Sequence, residues 1–250
     1  TTVRPTLDDG FYVLTLSSVP SQGTLIFMKF DKEGTKIGNN NVISTNPKIT
    51  RPFFDVFSDG GIIITWWEND AVHAESNNDI FALFVDKNGN AGTKFVVNDW
   101  IQNSQDSSQV LVLPDDTFVI IYNQYKQYYG NSNYQDGWDG YYWLSDSVSM
   151  ETFSRDGVKI RPEINLTPEF EPMVTQNLGS NNHLAYPTYA TPYLPYDKKN
   201  MLIVFEARHN SNNDEDIFLK SFSRTYTSVW TDLTALYQGR QGDKGEQQYE

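Results

Sequence analysis

The sequence predicts an all-β chain built from about four copies of a four-stranded antiparallel meander, and three observations carry that expectation. A block of sequence recurs along the chain. Its clearest copy runs VFSDGGIIITWW (Val56 to Trp67) and then NNDIFALFVDKNGNAGTKFVV (Asn77 to Val97). Composition is the second: aromatic residues make up 14% of 250 residues, Tyr and Phe dominate them, and helical periodicity is hard to find. The third is turn chemistry, because Asp-Gly and Asn-Gly pairs punctuate apolar runs that alternate with period two.

The other copies are looser. The first reads TLDDGFYVLTL (Thr6 to Leu16), then GTLIFMKFDKEGTKIG (Gly23 to Gly38). The third reads VLPDDTFVIIY (Val112 to Tyr122), then DGYYWLSDSVSMETFSRDGVKI (Asp139 to Ile160). The last reads PYDKKNMLIVFEA (Pro195 to Ala207), then DEDIFLKSFSRTYTSVW (Asp214 to Trp230). Units repeated at this length cannot bury their apolar faces alone and must stack on one another.

In the second copy, Asp59-Gly60-Gly61 separates a short strand, Phe53 to Phe57, from a β-branched one, Ile62 to Trp67. A polar loop, Asn69 to Asn78, leads to a third strand, Asp79 to Val85. Asp86-Lys87-Asn88-Gly89 is a hairpin turn, and Gly92 to Val97 is the fourth strand. The same hairpin stands at Asp31 to Gly34 and at Arg155-Asp156-Gly157. Ser223-Arg224-Thr225 lacks the glycine and predicts an altered turn. Four strands joined in this order are the unit of a β-propeller blade. The approximate units are 1–50, 51–108, 109–176 and 177–250 of a single repeat domain, in a closed small ring or part of a larger one. Polar linkers are expected at Ser44 to Thr50, Asp99 to Ser108, Asn165 to Gln176 and Gln238 to Gln248. Trp66, Tyr122 and Phe205, with Leu16 in the first copy, should occupy equivalent buried sites.

The Asp59-Gly60-Gly61 turn with Thr65-Trp66, Ile26 to Phe30 with Asp31, and Ile80 to Phe84 with Asp86 resemble the tandem repeats of large bacterial surface and secreted proteins. The resemblance implies a propeller-like fold and a place in adhesins and other exported proteins. Its motif is structural, so it brings no catalytic residue. The third copy has Tyr122 and the fourth Phe205 where that motif has Trp.

Net charge is −13 and the isoelectric point is near 4.6, which disfavours nucleic acid and anionic lipid as partners. With no cysteine, disulfides, thiolate metal sites and cysteine nucleophiles are excluded. No apolar run is long enough to span a membrane. The chain begins at Thr1 without Met, which reads as a processed piece of a longer polypeptide.

Tyr-rich insertions are the leading candidates for binding. Tyr125, Tyr128, Tyr129, Tyr134, Trp138, Tyr141 and Tyr142 crowd one, and Tyr186, Tyr189, Tyr193 and Tyr196 a second. Rigid rings with amide neighbours suit a glycan or a protein partner, including copies of the chain itself. Trp138, Tyr141, Tyr142, Tyr189 and Tyr193 are the named candidates. No cofactor is required, although the acidic loops invite calcium, with Asp79, Asp139, Asp214 and Asp216 as ligands. The alternative is that these loops only turn the chain. His73, His183 and His209 show no metal-ligand spacing, and Ser58-Asp59-Gly60 has the wrong spacing for a sialidase Asp box. Asn165-Leu166-Thr167 is a sequon followed by Pro168.

The reading that follows is a non-enzymatic extracellular or cell-surface module for adhesion or assembly. One alternative is a secreted propeller glycoside hydrolase or lyase, with carboxylates drawn from Glu68, Glu206, Asp55 and Asp136. Glu68 and Glu206 read otherwise as solvated loop residues. A second alternative is a passive spacer in a repeat array.

Overall fold

The computed structural model describes residues 1–19, 22–44, 49–68, 76–99, 103–130, 140–167, 187–193, 200–208, 215–224, 230–232 and 237–240. Every regular element among them is a β-strand. The chain divides into two compact units, Thr1–Gln124 with Ser149–Asn165, and Tyr125–Val148 with Leu166–Glu250.

The first unit opens with a sheet of β1 (Thr2–Pro5), β2 (Phe11–Val19), β3 (Gln22–Phe30) and β4 (Lys36–Ser44), in that spatial order. Each strand pairs antiparallel with the next. Period-two alternation decides which face is covered: Tyr12 and Leu14 on β2 and Leu25 and Phe27 on β3 are buried. A second meander follows, formed by β5 (Ile49–Val56), β6 (Ile62–Glu68), β7 (Ser76–Val85) and β8 (Phe95–Val96). A third runs through β9 (Asn103–Val112), β10 (Phe118–Gly130), β11 (Gly140–Phe153) and β12 (Ile164–Asn165). A two-pair parallel contact, Ser76 with Asn103 and Asn78 with Ser104, joins the second and third meanders into one eight-stranded sheet.

β6 is covered on both faces. Ile62, Ile64 and Trp66 join Tyr12, Leu14, Leu25, Phe27 and Phe54 in one core cluster. Ile63 faces the other way, into a cluster with Phe118, Ile120, Tyr122 and Phe153. Such a strand is a continuous apolar run, IIITWW, where a half-exposed strand would alternate. Thr65 is the exception inside it. It is buried, and its hydroxyl donates to Phe81 O at 3.1 Å and lies 3.1 Å from Ser108 Oγ on β9.

Turn chemistry recurs at matching places. Gly34, Gly89 and Gly157 have φ of 82°, 88° and 79° in the hairpins between third and fourth strands. Their N–H groups donate to Asp31, Asp86 and Ser154 carbonyls at 3.1, 2.9 and 2.9 Å. A left-handed residue also closes each turn between first and second strands, but its identity varies: Asp9, Gly60 and Asp116, at φ of 62°, 85° and 60°. Aspartate visits this region more readily than most side chains, so glycine is dispensable there. The first strand β5 bulges between Thr50 and Phe53, with Arg51 at φ 47°, and Ser107 in β9 is also left-handed at φ 54°.

In the second unit, β13 (Pro187–Tyr193), β14 (Asn200–Arg208), β15 (Glu215–Arg224) and β16 (Trp230–Asp232) pair in order, and β17 (Tyr237–Arg240) also pairs with β15. Met201, Ile203, Phe205 and Phe222 are buried, while Val204 and Ile217 are exposed. β13 carries a register shift between Thr188 and Thr191.

Two expectations are corrected. Asn103 to Ser108 belongs to a strand rather than a linker: its polar residues Gln105 and Ser108 are buried and hydrogen-bonded. The first Tyr-rich insertion is also partly strand, because β10 extends to Gly130 and β11 begins at Gly140. The fourth hairpin falls in part at Thr225, outside the described residues.

Trp66, Tyr122 and Phe205 are all buried, and Leu16 packs partly buried against the first cluster. Trp66 stacks on Phe81 with centroids 6.3 Å apart, and its Nε1–H donates to Glu68 at 3.1 Å. Trp66→Ala should therefore cost about 3–5 kcal/mol, read as a lowered urea midpoint at unchanged slope.

Candidate functional site

Most of the predicted binding residues fall outside what the structure describes. Trp138, Asp139 and Asp214 lie there, as do Asp136 and the three histidines. Tyr141 and Tyr142 have their backbone in β11, Tyr189 and Tyr193 in β13, Glu206 in β14 and Asp216 in β15; their side chains are outside the described set. Asp79 is buried at the start of the third strand, directly opposite Glu68. It accepts from Asn98 Nδ2 at 3.0 Å, and Asn98 Oδ1 in turn accepts the Ile80 N–H at 2.8 Å. That arrangement ties the fourth strand's end to the third. Among the described residues, no group of three or more acidic or histidine side chains is arranged to hold a metal ion.

The carboxylates are more informative. Arg4, Asp55 and Leu111 each stand five residues before the left-handed turn residue of their own meander, so they are equivalent positions on three successive first strands. Asp55 Oδ2 accepts the Val112 N–H of β9 at 2.7 Å, and its Oδ1 lies 3.5 Å from Arg4 Nε on β1. One side chain thus gathers the first strands of all three meanders of this unit. Burial pushes the Asp55 carboxyl above its ordinary range, against the pull of the Val112 and Val56 N–H groups and of Arg4. It keeps 17% of its side chain exposed. A carboxyl that holds its proton more readily than usual while still reaching solvent is suited to proton transfer.

Glu68 is not the solvated loop residue expected from sequence. It is buried at the end of β6, where Trp66 Nε1 donates to one oxygen and Lys94 Nζ to the other. Lys94 also lies over the Phe81 ring, 4.3 Å from its centroid. One meander on, the same three chemistries recur with a different strand supplying the acid. Tyr122, the counterpart of Trp66, donates its hydroxyl to buried Glu151 at 3.1 Å, and Lys159 Nζ lies 2.6 Å from the other carboxylate oxygen. Glu151 was missed by sequence reasoning. The signal was present: in SVSMETF it holds period-two register with the core residue Phe153, so its side chain had to point inward.

No helix among the described residues is long and apolar enough to cross a membrane. No family model matches the chain. No curated protein matches it in sequence. Solved structures do match. An endo-1,4-beta-xylanase from Bacteroides thetaiotaomicron aligns over 92% of this chain and 76% of its own at 11% identity, with a TM-score of 0.47. An endo-arabinase from the same organism aligns over 86% and 72% at 11% identity, with a TM-score of 0.48. A thermostable family-43 glycoside hydrolase aligns over 95% and 79% at 9% identity, with a TM-score of 0.47. By name these proteins are a xylanase, an arabinase and a glycoside hydrolase, against the non-enzymatic expectation and in the class of the alternative reading. At such identities no residue role of theirs passes to this chain.

Glu68 is buried while Lys94 keeps 39% of its side chain exposed, so removing the ammonium leaves a buried carboxylate without its cation. Lys94→Met should therefore destabilise the first unit by about 1–3 kcal/mol, and adding Glu68→Leu should recover most of that loss, as a double-mutant cycle in urea would show.

Proposed function

We propose that this chain is a glycan-acting hydrolase on a propeller-like scaffold of four meander units, 1–50, 51–108, 109–176 and 177–250, working outside the cell. The observation that supports it is Asp55. It stands where three first strands meet, its acid form is favoured by burial, and part of it remains open to solvent. Hydrolysis of a glycosidic bond needs a carboxyl to protonate the leaving oxygen and a second one roughly 5–9 Å away to act as nucleophile or to activate water. Glu68 is enclosed and committed to Trp66 and Lys94. The rings of Trp138, Tyr141, Tyr142, Tyr189 and Tyr193 would bind the sugar chain by stacking, and Asp139, Asp214 and Asp216 would hold any calcium that steadies those segments.

Purified protein should release reducing ends from at least one member of a panel that includes arabinan and xylan. Asp55→Asn should lower that rate by at least about 100-fold with an unchanged far-ultraviolet circular dichroism spectrum. No release from any member would remove the hydrolase reading. Release that survives Asp55→Asn would move the acid elsewhere.

A further inference from the structure

The first meander has an outer face, turned away from the second, and the repeat itself sets how much of that face a neighbour should cover. Val3, Phe54 and Val110 each stand six residues before the left-handed turn residue of their meander, and Val3 pairs with Val13 as Phe54 pairs with Ile64. Phe54 and Val110 are buried, whereas Val3 is 51% exposed. Phe11 and Val13 are only half-buried, while their counterparts Ile62 and Ile64 in the second meander, and Phe118 and Ile120 in the third, are buried. Phe30 pairs with Phe11 as Val85 pairs with Ile62; Val85 is buried and Phe30 is not. The hairpin glycines show the same contrast. A Cβ at Gly89 would strike Asn41 of the first meander, and one at Gly157 the Phe84 ring of the second, but one at Gly34 would meet nothing within 4 Å. The second and third meanders therefore have a neighbour on this side, and the first has none among the described residues.

The sheet of β13 to β16 has the converse face open. Its Asp216-Ile217-Phe218 repeats the Asp79-Ile80-Phe81 of β7, and Phe205 pairs with Phe218 as Trp66 pairs with Phe81. That register makes Val204 the counterpart of Thr65 and Ile217 the counterpart of Ile80. Thr65 and Ile80 are buried on the face of the second meander that is turned to the third. Val204 is 38% exposed and Ile217 42%. We propose that the outer face of the first meander docks a second copy of this chain, which covers it with the Val204 and Ile217 face of its fourth meander. The same pairing of unlike faces joins the first meander to the second and the second to the third. The chain thus carries, in its first and fourth meanders, both halves of a contact that it makes twice within itself, and mating them removes Val3, Phe11, Val13, Val204 and Ile217 from water. Because the two faces differ, each junction leaves one of each kind unmated, and copies join head to tail.

Sedimentation velocity on the 250-residue chain across about 1–100 μM tests the docking. The wild type should form species larger than a monomer, in a proportion that grows with concentration. Val3→Lys and Val204→Lys change exposed positions on the two faces, and each alone should raise the apparent Kd at least about 10-fold with an unchanged far-ultraviolet circular dichroism spectrum. An equal mixture of the two variants should give a dimer and nothing larger, since each brings one intact face. A wild type that stays monomeric throughout overturns the proposal. So do single variants that associate like the wild type, or a mixture that stays monomeric.

Discussion

The two-sided burial of β6 is the constraint on which the first unit depends. A sheet with one covered face can stand on a single layer. A sheet whose central strand is apolar on both faces needs a neighbour on each side. Ile62, Ile64 and Trp66 bind the second meander to the first, and Ile63 binds it to the third. The rest follows from that stacking. The turns between first and second strands must stay tight so that neighbouring sheets can close on one another. They also link across: Tyr12 donates to Gly60 O at 3.1 Å, and Ser58 donates from both its N–H and its hydroxyl to Asp116. Arg155 of the third meander stacks 3.8 Å from the Phe57 ring centre and pairs with Asp59 at 3.0 Å.

Stacked sheets leave a problem at the ends of their shared cores, where wide aromatic residues carry polar atoms. Trp66 and Tyr122 each fill such a place, and each needs an acceptor for its N–H or O–H. A buried glutamate supplies it, and a lysine from the segment beyond the hairpin neutralises the glutamate. The glutamate comes from the second strand in one meander and the third in the next. What recurs is therefore the chemical requirement, met by whichever strand offers a side chain of the right reach. This accounts for buried acids in the core of a chain whose acidity otherwise serves its surface.

The strands and hairpins were legible because their signals are local. A β-branched run after the Asp59-Gly60-Gly61 turn placed Ile62 to Trp67, and period-two alternation placed Asp79 to Val85, close to the observed β6 and β7, and glycine marked the three hairpins. β9 was not legible. Its sequence NSQDSSQVLV reads as a polar connection, and only tertiary partners make a strand of it: Thr65 beside Ser108, and Asn98 donating to Gln105. Asp55 stood among the carboxylates named from sequence, but its partners did not. Arg4 and Asp55 are 51 positions apart in sequence, and nothing in either copy announces that a third strand will offer its Val112 N–H to the same carboxylate.

Glu68, Glu151 and Asp55, three of the enclosed acids of the first unit, differ in what their surroundings leave them free to do. Glu68 has its two oxygens taken by an indole and an ammonium, with no solvent beside it, so it serves to hold the core contact it makes. Glu151 is equally enclosed, shares its ammonium with Asp99 and accepts the Asp99 N–H, so it holds the end of the second meander to the third. Asp55 alone is held chiefly by a backbone N–H, with its cation at 3.5 Å and part of its surface open. A backbone donor stays in place whether or not the other oxygen bears a proton. Proton exchange at Asp55 therefore leaves the Val112 contact in place, which is what the proposed hydrolysis would require of its acid.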